Sequence, residues 1–89
     1  QYVRNSAVWE SANRCVVLHA TNGVTVSGNV CYDISGHAIF LENAVERRNV
    51  IENNLVLHVK IPPQDRRLVR HDDRSAGFWL TNPDNTVRG

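Results

Sequence analysis

Residues 49–55 read "NVIENNL", and the pattern matches "VTVSGNV" at residues 24–30. Val26 aligns with Ile51, and Asn29 aligns with Asn54 at the same offset. In both copies, residues that favour strands are followed by asparagine and other residues that favour turns. A repeat of this length is typical of solenoids, in which each unit pairs with its own next copy. The two stretches therefore predict strands that stack in parallel from one coil to the next.

Further copies extend the repeat along the chain. "CVVLHA" (15–20) aligns first with "AIFLEN" (38–43) and then with "GFWLTN" (77–82), and "NVIEN" (49–53) aligns with "NTVRG" (85–89). We predict an all-β fold: a right-handed parallel β-helix of about two and a half coils, forming one segment over residues 1–89. The wider spacing before the last copy predicts an inserted loop at about residues 59–75.

The repeat also predicts which side chains face the core, because successive residues of a strand point to opposite sides. We expect Asn29 and Asn54 to stack at one corner, with a left-handed backbone and amide hydrogen bonds along the stack. The outward rows of the first sheet are predicted to be Val17, Phe40 and Trp79, then His19, Glu42 and Thr81. The inward rows are predicted to be Val16, Ile39 and Phe78; Leu18, Leu41 and Leu80; Val26, Ile51 and Val87; Val30 and Leu55; and Tyr32 and Leu57.

Composition and charge limit the classes of partner. The chain has 89 residues, 42% of them hydrophobic, and a formal net charge of +1, which gives no electrostatic argument for nucleic acid. No apolar run is long enough to cross a bilayer, so we expect no membrane contact by this segment. The chain has no methionine and starts at Gln1, which favours a fragment of a longer β-helix with flanking coils on both sides. Cys15 and Cys31 are either bridged or free and buried.

The inserted loop carries the local surplus of positive charge. Its charged residues are Lys60, Arg66, Arg67, Arg70 and Arg74 against Asp65, Asp72 and Asp73. Arginine side chains bind carboxylates and sulfates well, so the loop suits an acidic polymer; the alternative is a solvated loop with internal ion pairs. Phe40 and Trp79 are predicted to form an outward aromatic face that either stacks on sugar rings or is covered by an adjoining loop or domain.

Acid and base groups occur near the same sheet edge. His37, Glu42 and Asp33 are the candidates for acid and base catalysis, while His19 and Glu46 are further titratable groups nearby; each has a structural role as the alternative. The histidines show no closely spaced pair of metal ligands, and we predict neither a metal nor a cofactor.

The chain resembles the β-helix of proteins that carry the extracellular G8 domain, namely the cell-surface and cell migration-inducing hyaluronidases and the fibrocystin-like proteins. The residues that carry the resemblance include "NVCYD" (29–33), "GHAIFLE" (36–42), "NNL" (53–55), "IPPQDRR" (61–67) and "GFWLTNPDN" (77–85), together with Asn13-Arg14, His19, Glu46 and Asn49-Val50. The chain departs from the family pattern "LEDG" at Asn43-Ala44, where an amide replaces the acidic group.

The resemblance implies a secreted or cell-surface protein that handles hyaluronan or a related acidic polysaccharide. The substrate-binding candidates are Arg66, Arg67, Arg70, Phe40, Trp79 and His19. Three hypotheses follow: a polysaccharide-binding segment that takes part in depolymerisation as a hyaluronidase-like glycoside hydrolase, a non-catalytic scaffold in a large fibrocystin-like receptor, and a bacterial polysaccharide lyase or epimerase, since those chemistries also use parallel β-helices.

Overall fold

The computed structural model describes residues 1–89 and consists of ten short strands that pair only in parallel. The strands form three sheets, ordered β1-β4-β7-β10, β2-β5-β8 and β3-β6-β9. Successive coils contribute one strand to each sheet, and β10 adds a fourth strand to the first sheet. The strands are β1 (Tyr2–Arg4), β2 (Ala7–Ser11), β3 (Val16–Leu18), β4 (Thr25–Ser27), β5 (Val30–Ser35), β6 (Ile39–Leu41), β7 (Val50–Glu52), β8 (Leu55–Lys60), β9 (Phe78–Trp79) and β10 (Thr86–Arg88).

The strand registers match the repeat that was read from the sequence. Val26 pairs with Ile51, and Ile39 pairs with Phe78, as the alignment of the copies predicted. The repeat did not identify β1 and β2, which pair with β4 and β5. Their coil has Ser6 at the corner, and its backbone N–H donates to Asn29 Oδ1 at 3.0 Å. Without an asparagine at that corner, the first coil lacks the signal by which the other copies were recognised.

The predicted core is confirmed for six of its thirteen residues. Val16, Leu18, Val26, Ile39, Leu41 and Ile51 are buried. The corresponding residues near the end of the chain, Phe78, Leu80 and Val87, remain 38–45% exposed, although they were predicted to face inward. No further coil of this chain packs over them, so their inward position alone does not remove them from solvent.

The third sheet, β2-β5-β8, corrects one prediction. Val30, Leu55, Tyr32 and Leu57 were predicted to face the core but are exposed. The phase of the alternation changes at the preceding corner, where Gly28 has φ of 64°, so Val30 and Tyr32 face outward and Cys31 is buried. Asp33 also has a left-handed backbone, with φ of 59°, and Ile34 is buried in its place. Such a residue interrupts the two-residue alternation on which the prediction relied. The equivalent residues of the neighbouring coils, Glu10 and His58, have the same conformation.

Stacked asparagines connect the coils as expected. Asn54 Oδ1 accepts hydrogen bonds from the backbone N–H and the side-chain Nδ2 of Asn29, at 3.0 and 3.1 Å. The left-handed backbone was predicted for these two asparagines but occurs one residue earlier, at Gly28 and Asn53. Each corner therefore uses two residues: a left-handed residue turns the chain, and the asparagine after it forms hydrogen bonds to the neighbouring coil.

A second asparagine stack was not predicted. Asn85 Oδ1 accepts from the backbone N–H and the Nδ2 of Asn49, at 3.0 and 3.1 Å, and Asn49 Oδ1 accepts from the backbone N–H of Val24 at 2.8 Å. Asn49 is fully buried, so its amide supplies partners for backbone groups that water does not reach.

A disulfide joins Cys15 to Cys31, with the Cα atoms 6.0 Å apart, and no free cysteine remains. Of the two alternatives that the sequence left open for these cysteines, the structure has the bridged one. The bond connects the segment before β3 to β5 of the following coil. Apart from two 3₁₀ turns the chain is all-β, and it has no helix that is long and apolar enough to cross a membrane.

Candidate functional site: the inserted loop and the sheet beneath it

The segment between β8 and β9 forms two 3₁₀ turns, Gln64–Arg66 and Arg70–Arg74. Its second turn packs against the outward side of sheet β3-β6-β9, where Phe40 of β6 and Trp79 of β9 contact His71. Most side chains of the segment are exposed, but Pro62 and Asp72 are buried. The loop is therefore attached to the coils at defined points.

A buried ion pair is the first attachment. Arg14 Nη1 lies 2.8 Å from Asp72 Oδ1, and the two side chains are 8% and 0% exposed. Asp72 Oδ2 also accepts hydrogen bonds from the backbone N–H groups of Leu68 and Val69, at 2.8 and 3.2 Å. Burial by itself would raise the pKa of Asp72, but the Arg14 guanidinium and the two N–H groups outweigh it and hold that pKa below its usual value. The carboxylate is therefore charged, with Oδ2 accepting both N–H groups and Oδ1 in ionic contact with the guanidinium.

Gly36 makes room for this ion pair. Its backbone has φ of 80°, and a Cβ atom at this position would collide with Nη1 of Arg14. A side chain here would displace the guanidinium and also strain the backbone. This gives a physical reason for the glycine of the Gly36-His37 pair.

An aromatic stack is the second attachment. The His71 ring lies parallel to the Trp79 indole at 4.3 Å, and the His37 ring lies 4.3 Å from the same indole. Phe40 lies beneath them, 5.0 Å from His37, with the Arg14 guanidinium 4.7 Å above its ring. Phe40 was predicted as a face for sugar rings, but it is fully buried and cannot contact one. The alternative, that an adjoining loop covers this aromatic face, is the arrangement in the structure.

The two histidines have defined proton positions. The backbone N–H of Ala76 donates to His37 Nδ1 at 3.1 Å, so a neutral His37 carries its proton on Nε2. His37 Nε2 lies 2.7 Å from His71 Nδ1 and donates to it. Burial, followed by the neighbouring His71 and Arg14, lowers the pKa of His37 to about 4. His37 is therefore neutral near pH 7 and is unsuited to act as an acid there.

His37, His71 and Asp72 lie close enough to be considered as metal ligands, with one ligand atom of each within 4.8 Å of the others. Their hydrogen bonds argue against such a site. His37 Nε2 carries a proton, its Nδ1 accepts from a backbone N–H, and both Asp72 oxygens are engaged. A metal also needs deprotonated ligands and would meet the adjacent Arg14 cation. These donor atoms do not fit a metal ion.

The three catalytic candidates lie in separate clusters. Asp33 on β5 contacts Lys60, with Oδ1 and Nζ 2.7 Å apart, while Glu42 Oε2 lies 2.7 Å from His19 Nδ1. His37 contacts neither group and bonds to the loop. The structure thus pairs His19 with Glu42 but brings no two of His37, Glu42 and Asp33 into contact.

Glu46 and the departure at Asn43-Ala44 have structural explanations. Glu46 is fully buried and accepts hydrogen bonds from the backbone N–H groups of Ala20 and Asn43, at 2.6 and 2.9 Å. Ala44 has φ of 63°, a conformation in which glycine is less strained. The side-chain Nδ2 of Asn43 lies 3.2 Å from Nδ1 of His19. The substituted amide therefore faces the exposed pair of imidazole and carboxylate.

The exposed arginines of the loop form the accessible part of the site. Arg66, Arg67, Arg70 and Arg74 are all exposed, and only Asp65 and Asp73 of the loop aspartates share that surface. Arg67 Nε donates to the carbonyl of Pro62 at 3.1 Å, and the Arg74 guanidinium lies 6.0 Å from the centre of the Trp79 ring. Because Asp72 is turned inward to Arg14, the outer surface of the loop has a surplus of positive charge.

The sequence reading did not identify Arg14, His71 and Asp72 as partners. The sequence places Asp72 in a charged run and Arg14 among the residues of the family resemblance, and it gives no signal for His71. The one available signal was the length of the insertion, since long loops often carry function. Pairing Arg14 with Asp72 required the fold.

Comparisons with known proteins agree with this architecture. The sequence profile described as CEMIP beta-helix matches residues 1–89. Human Fibrocystin-L is 40% identical over 87 residues, which cover 98% of this chain and 2% of that protein. Cell surface hyaluronidase from Danio rerio is 43% identical over 68 residues, covering 73% of this chain and 5% of that protein.

A G8 domain-containing protein of Dictyostelium discoideum is 43% identical over 103 aligned positions, covering 99% of this chain and 7% of that protein. The chain thus spans only a small part of the length of these relatives. No solved structure matches it. The resemblance to the β-helix of G8-domain proteins is confirmed.

Proposed function

Since this chain belongs to the CEMIP beta-helix family, we propose that it is an extracellular or cell-surface β-helix segment that binds an acidic polysaccharide of the hyaluronan type through its inserted loop. The observation that carries the proposal is the group of exposed arginines on a loop that a buried ion pair attaches to the coils. Guanidinium groups bind carboxylates with two parallel hydrogen bonds, which matches the acidic groups of such a polymer. The relative named a cell surface hyaluronidase supports the choice of polymer.

The disulfide supports the proposed location. Bonds of this kind persist in secreted and cell-surface proteins and are rare in reducing compartments. The names of two relatives, both cell surface hyaluronidases, agree with that location.

We also propose that the sheets wind in a right-handed sense. Connections between parallel strands of the same sheet are right-handed in nearly all proteins, because strand twist favours that path. Every sheet of this chain consists of parallel strands joined by such connections.

The geometry favours a segment that binds the polysaccharide but does not cleave it. Glycoside hydrolysis needs an acid and a base on either side of one bond. His37 is buried and neutral, and Asp33 is paired with Lys60, which leaves His19 and Glu42 as the accessible acid and base groups. If the parent protein hydrolyses its ligand, we expect His19 and Glu42 to be the contribution of this segment.

The second candidate function is a non-catalytic scaffold in a large receptor. It is favoured by the separation of Asp33, His37 and Glu42, and by the similarity to Fibrocystin-L over nearly the whole chain. In that case the coils display the loop to a partner, and the arginines have no special affinity for polysaccharide.

The test uses the full-length parent protein and size-defined hyaluronan, with binding measured by calorimetry and chain length read on a gel. We expect the Arg66→Ala/Arg70→Ala variant to bind at least about tenfold more weakly, because two charge-assisted contacts are lost. Arg47→Ala/Arg48→Ala removes two exposed arginines at another corner and is the matched control. Equal losses in the two variants, or no binding by the unmodified protein, would leave the scaffold as the function.

A further inference from the structure

Hydrogen bonds between the inserted loop and the coils fix the protonation of two histidines. Nδ1 of His37 accepts from the backbone N–H of Ala76 at 3.1 Å, and its Nε2 lies 2.7 Å from Nδ1 of His71. Because the proton of His37 is on Nε2, Nδ1 of His71 is the acceptor, and the proton of His71 is on its own Nε2. We refer to His37 and His71 as the histidine pair. Both rings are neutral while the loop is attached.

The partner groups of the histidine pair leave no place for a further proton. A proton on Nδ1 of His71 would point at the N–H of His37, unless His37 moved its own proton to Nδ1. There the proton would point at the N–H of Ala76. That N–H is held in place, since the carbonyl of Ala76 accepts from the backbone N–H of Ala38 at 3.0 Å, next to the pairing of β6 with β9. A further proton on either ring therefore breaks a bond that attaches the loop.

The charged groups around the histidine pair do not compensate for a further proton. Arg14 approaches from the segment before β3, and Asp72 and Arg74 approach from the loop, whereas β6 and β9 contain no titratable residue. Asp72 lies 2.8 Å from Nη1 of Arg14, so the charges of these two groups offset each other. Arg74 adds a second cation, 6.0 Å from the centre of the Trp79 ring on which the pair stacks. Burial, followed by the second histidine and Arg14, lowers the pKa of His37 to about 4.

Proton uptake links the attachment of the loop to pH. A histidine that is free in water has a pKa of about 6.5, and one that is neutral only in the attached state favours that state above this pH. Its contribution is lost as the pH falls below about 6.5. From pH 7 to pH 5, each such histidine raises the ratio of detached to attached loop about 25-fold, and two histidines raise it about 600-fold.

We propose that the histidine pair is a pH-sensitive switch: in acid the inserted loop detaches from sheet β3-β6-β9, and an acidic polysaccharide bound to the loop arginines is released. The release of the ligand rests on the proposed function of these arginines. When the loop is detached, binding has to order it again, which weakens the affinity. Charge alone predicts the opposite effect, because arginines and sugar carboxylates stay largely charged at pH 5 while protonated histidines add positive charge.

The test follows hydrogen exchange of the full-length parent protein by mass spectrometry from pH 7 to pH 5, corrected for the intrinsic effect of pH on exchange. The loop peptide reports detachment through the backbone N–H groups of Leu68 and Val69, which donate to Asp72 when the loop is attached. We expect the opening of this peptide to increase by more than about 100-fold, since two protons are taken up. A peptide that covers β7 is the reference and should not change, because the coils remain folded.

Variants of the histidine pair separate the two protons. In His71→Asn the side-chain oxygen still accepts from His37 but takes up no proton, so the increase should fall to about 25-fold. In His37→Asn the side-chain oxygen accepts from Ala76, and we expect the same reduction. His58→Asn is the matched control, because His58 is 62% exposed on β8, and its increase should equal that of the unmodified protein. Melting temperatures at pH 7 check that the variants remain folded.

Two results would overturn the switch. One is an opening of the loop peptide that does not depend on pH in the unmodified protein, and the other is an equal change in His58→Asn and His71→Asn. Hyaluronan binding is measured separately by calorimetry at both pH values. We expect a weaker affinity at pH 5, and an affinity that stays the same or rises would show that detachment does not control binding. If hyaluronan does not bind even at pH 7, the proposed function fails, whereas hydrogen exchange still decides whether the loop detaches.

Discussion

At the scale of single residues, His37 shows how the fold sets the chemistry of a side chain. The family resemblance and the position beside a strand made it a candidate acid or base, yet burial and the neighbouring His71 and Arg14 lower its pKa and keep it neutral. Its two ring nitrogens connect the Ala76 N–H to His71 and thereby attach the loop. The same hydrogen bonds that remove His37 from catalysis give it a structural role.

This lowered pKa predicts a pH dependence of stability. The unfolded state takes up a proton near pH 6.5, whereas the folded state does so near pH 4. The contribution of His37 is therefore fully present above pH 6.5 and is lost as the pH falls from 6.5 to 4. The groups that face His37 are His71, Arg14 and Asp72. In thermal unfolding of the full-length protein across this pH range, we expect His37→Gln to flatten the decline; an unchanged profile would show that His37 is not buried in neutral form.

At the scale of elements, the loop is a surface layer held by one ion pair and one aromatic stack. Asp72→Ala would leave the Arg14 cation buried without a partner, which costs about 3–5 kcal/mol in comparable sites. We expect a loss of that size in urea unfolding of the unit that contains the loop. Asp73→Ala removes the adjacent, 54% exposed carboxylate and should change the free energy of unfolding by less than about 0.5 kcal/mol. Similar losses in both variants would contradict the assignment of Asp72 as the anchor.

The elements also show how far sequence reasoning reaches. The alignment of the repeated copies predicted the pairing of β3 through β10, because parallel stacking places equivalent apolar residues opposite one another. The predicted orientation of β5 was wrong because the alternation was continued from β4 through the corner, where the left-handed Gly28 changes which side the next residues face. The packing of the loop against the coils could not be predicted from the sequence either, since Arg14 and Asp72 come into contact only in the folded chain.

At the scale of the whole molecule, the coils are joined by backbone hydrogen bonds, by two asparagine stacks and by one disulfide. The bond between Cys15 and Cys31 closes a loop with a sequence separation of 16, for which chain entropy gives about 3 kcal/mol. For a domain of this size, that corresponds to a fall in melting temperature of roughly 12–24 °C. We expect Cys15→Ala/Cys31→Ala to show this fall in a non-reducing buffer. In a reducing buffer the unmodified protein should approach the variant, and a constant difference would contradict the role of the bridge.

The whole molecule also separates two surfaces with different charges. The loop on sheet β3-β6-β9 presents arginines, whereas the outward side of sheet β2-β5-β8 presents Trp9, Tyr32 and Leu57 beside the ion pair of Asp33 and Lys60. A solenoid suits this division, because each sheet displays its outward residues in a separate direction. We therefore propose that an acidic ligand binds at the loop and not along the coils in general.

The most direct measurement is the affinity of the full-length protein for size-defined hyaluronan at low and high salt, with the Arg66→Glu/Arg70→Glu variant beside it. Exposed ion pairs are screened by salt, so we expect an affinity that falls steeply as salt rises and is abolished by the charge reversal. An affinity that is independent of salt, or that the charge-reversed variant retains, would contradict the claim that the loop arginines bind the polysaccharide.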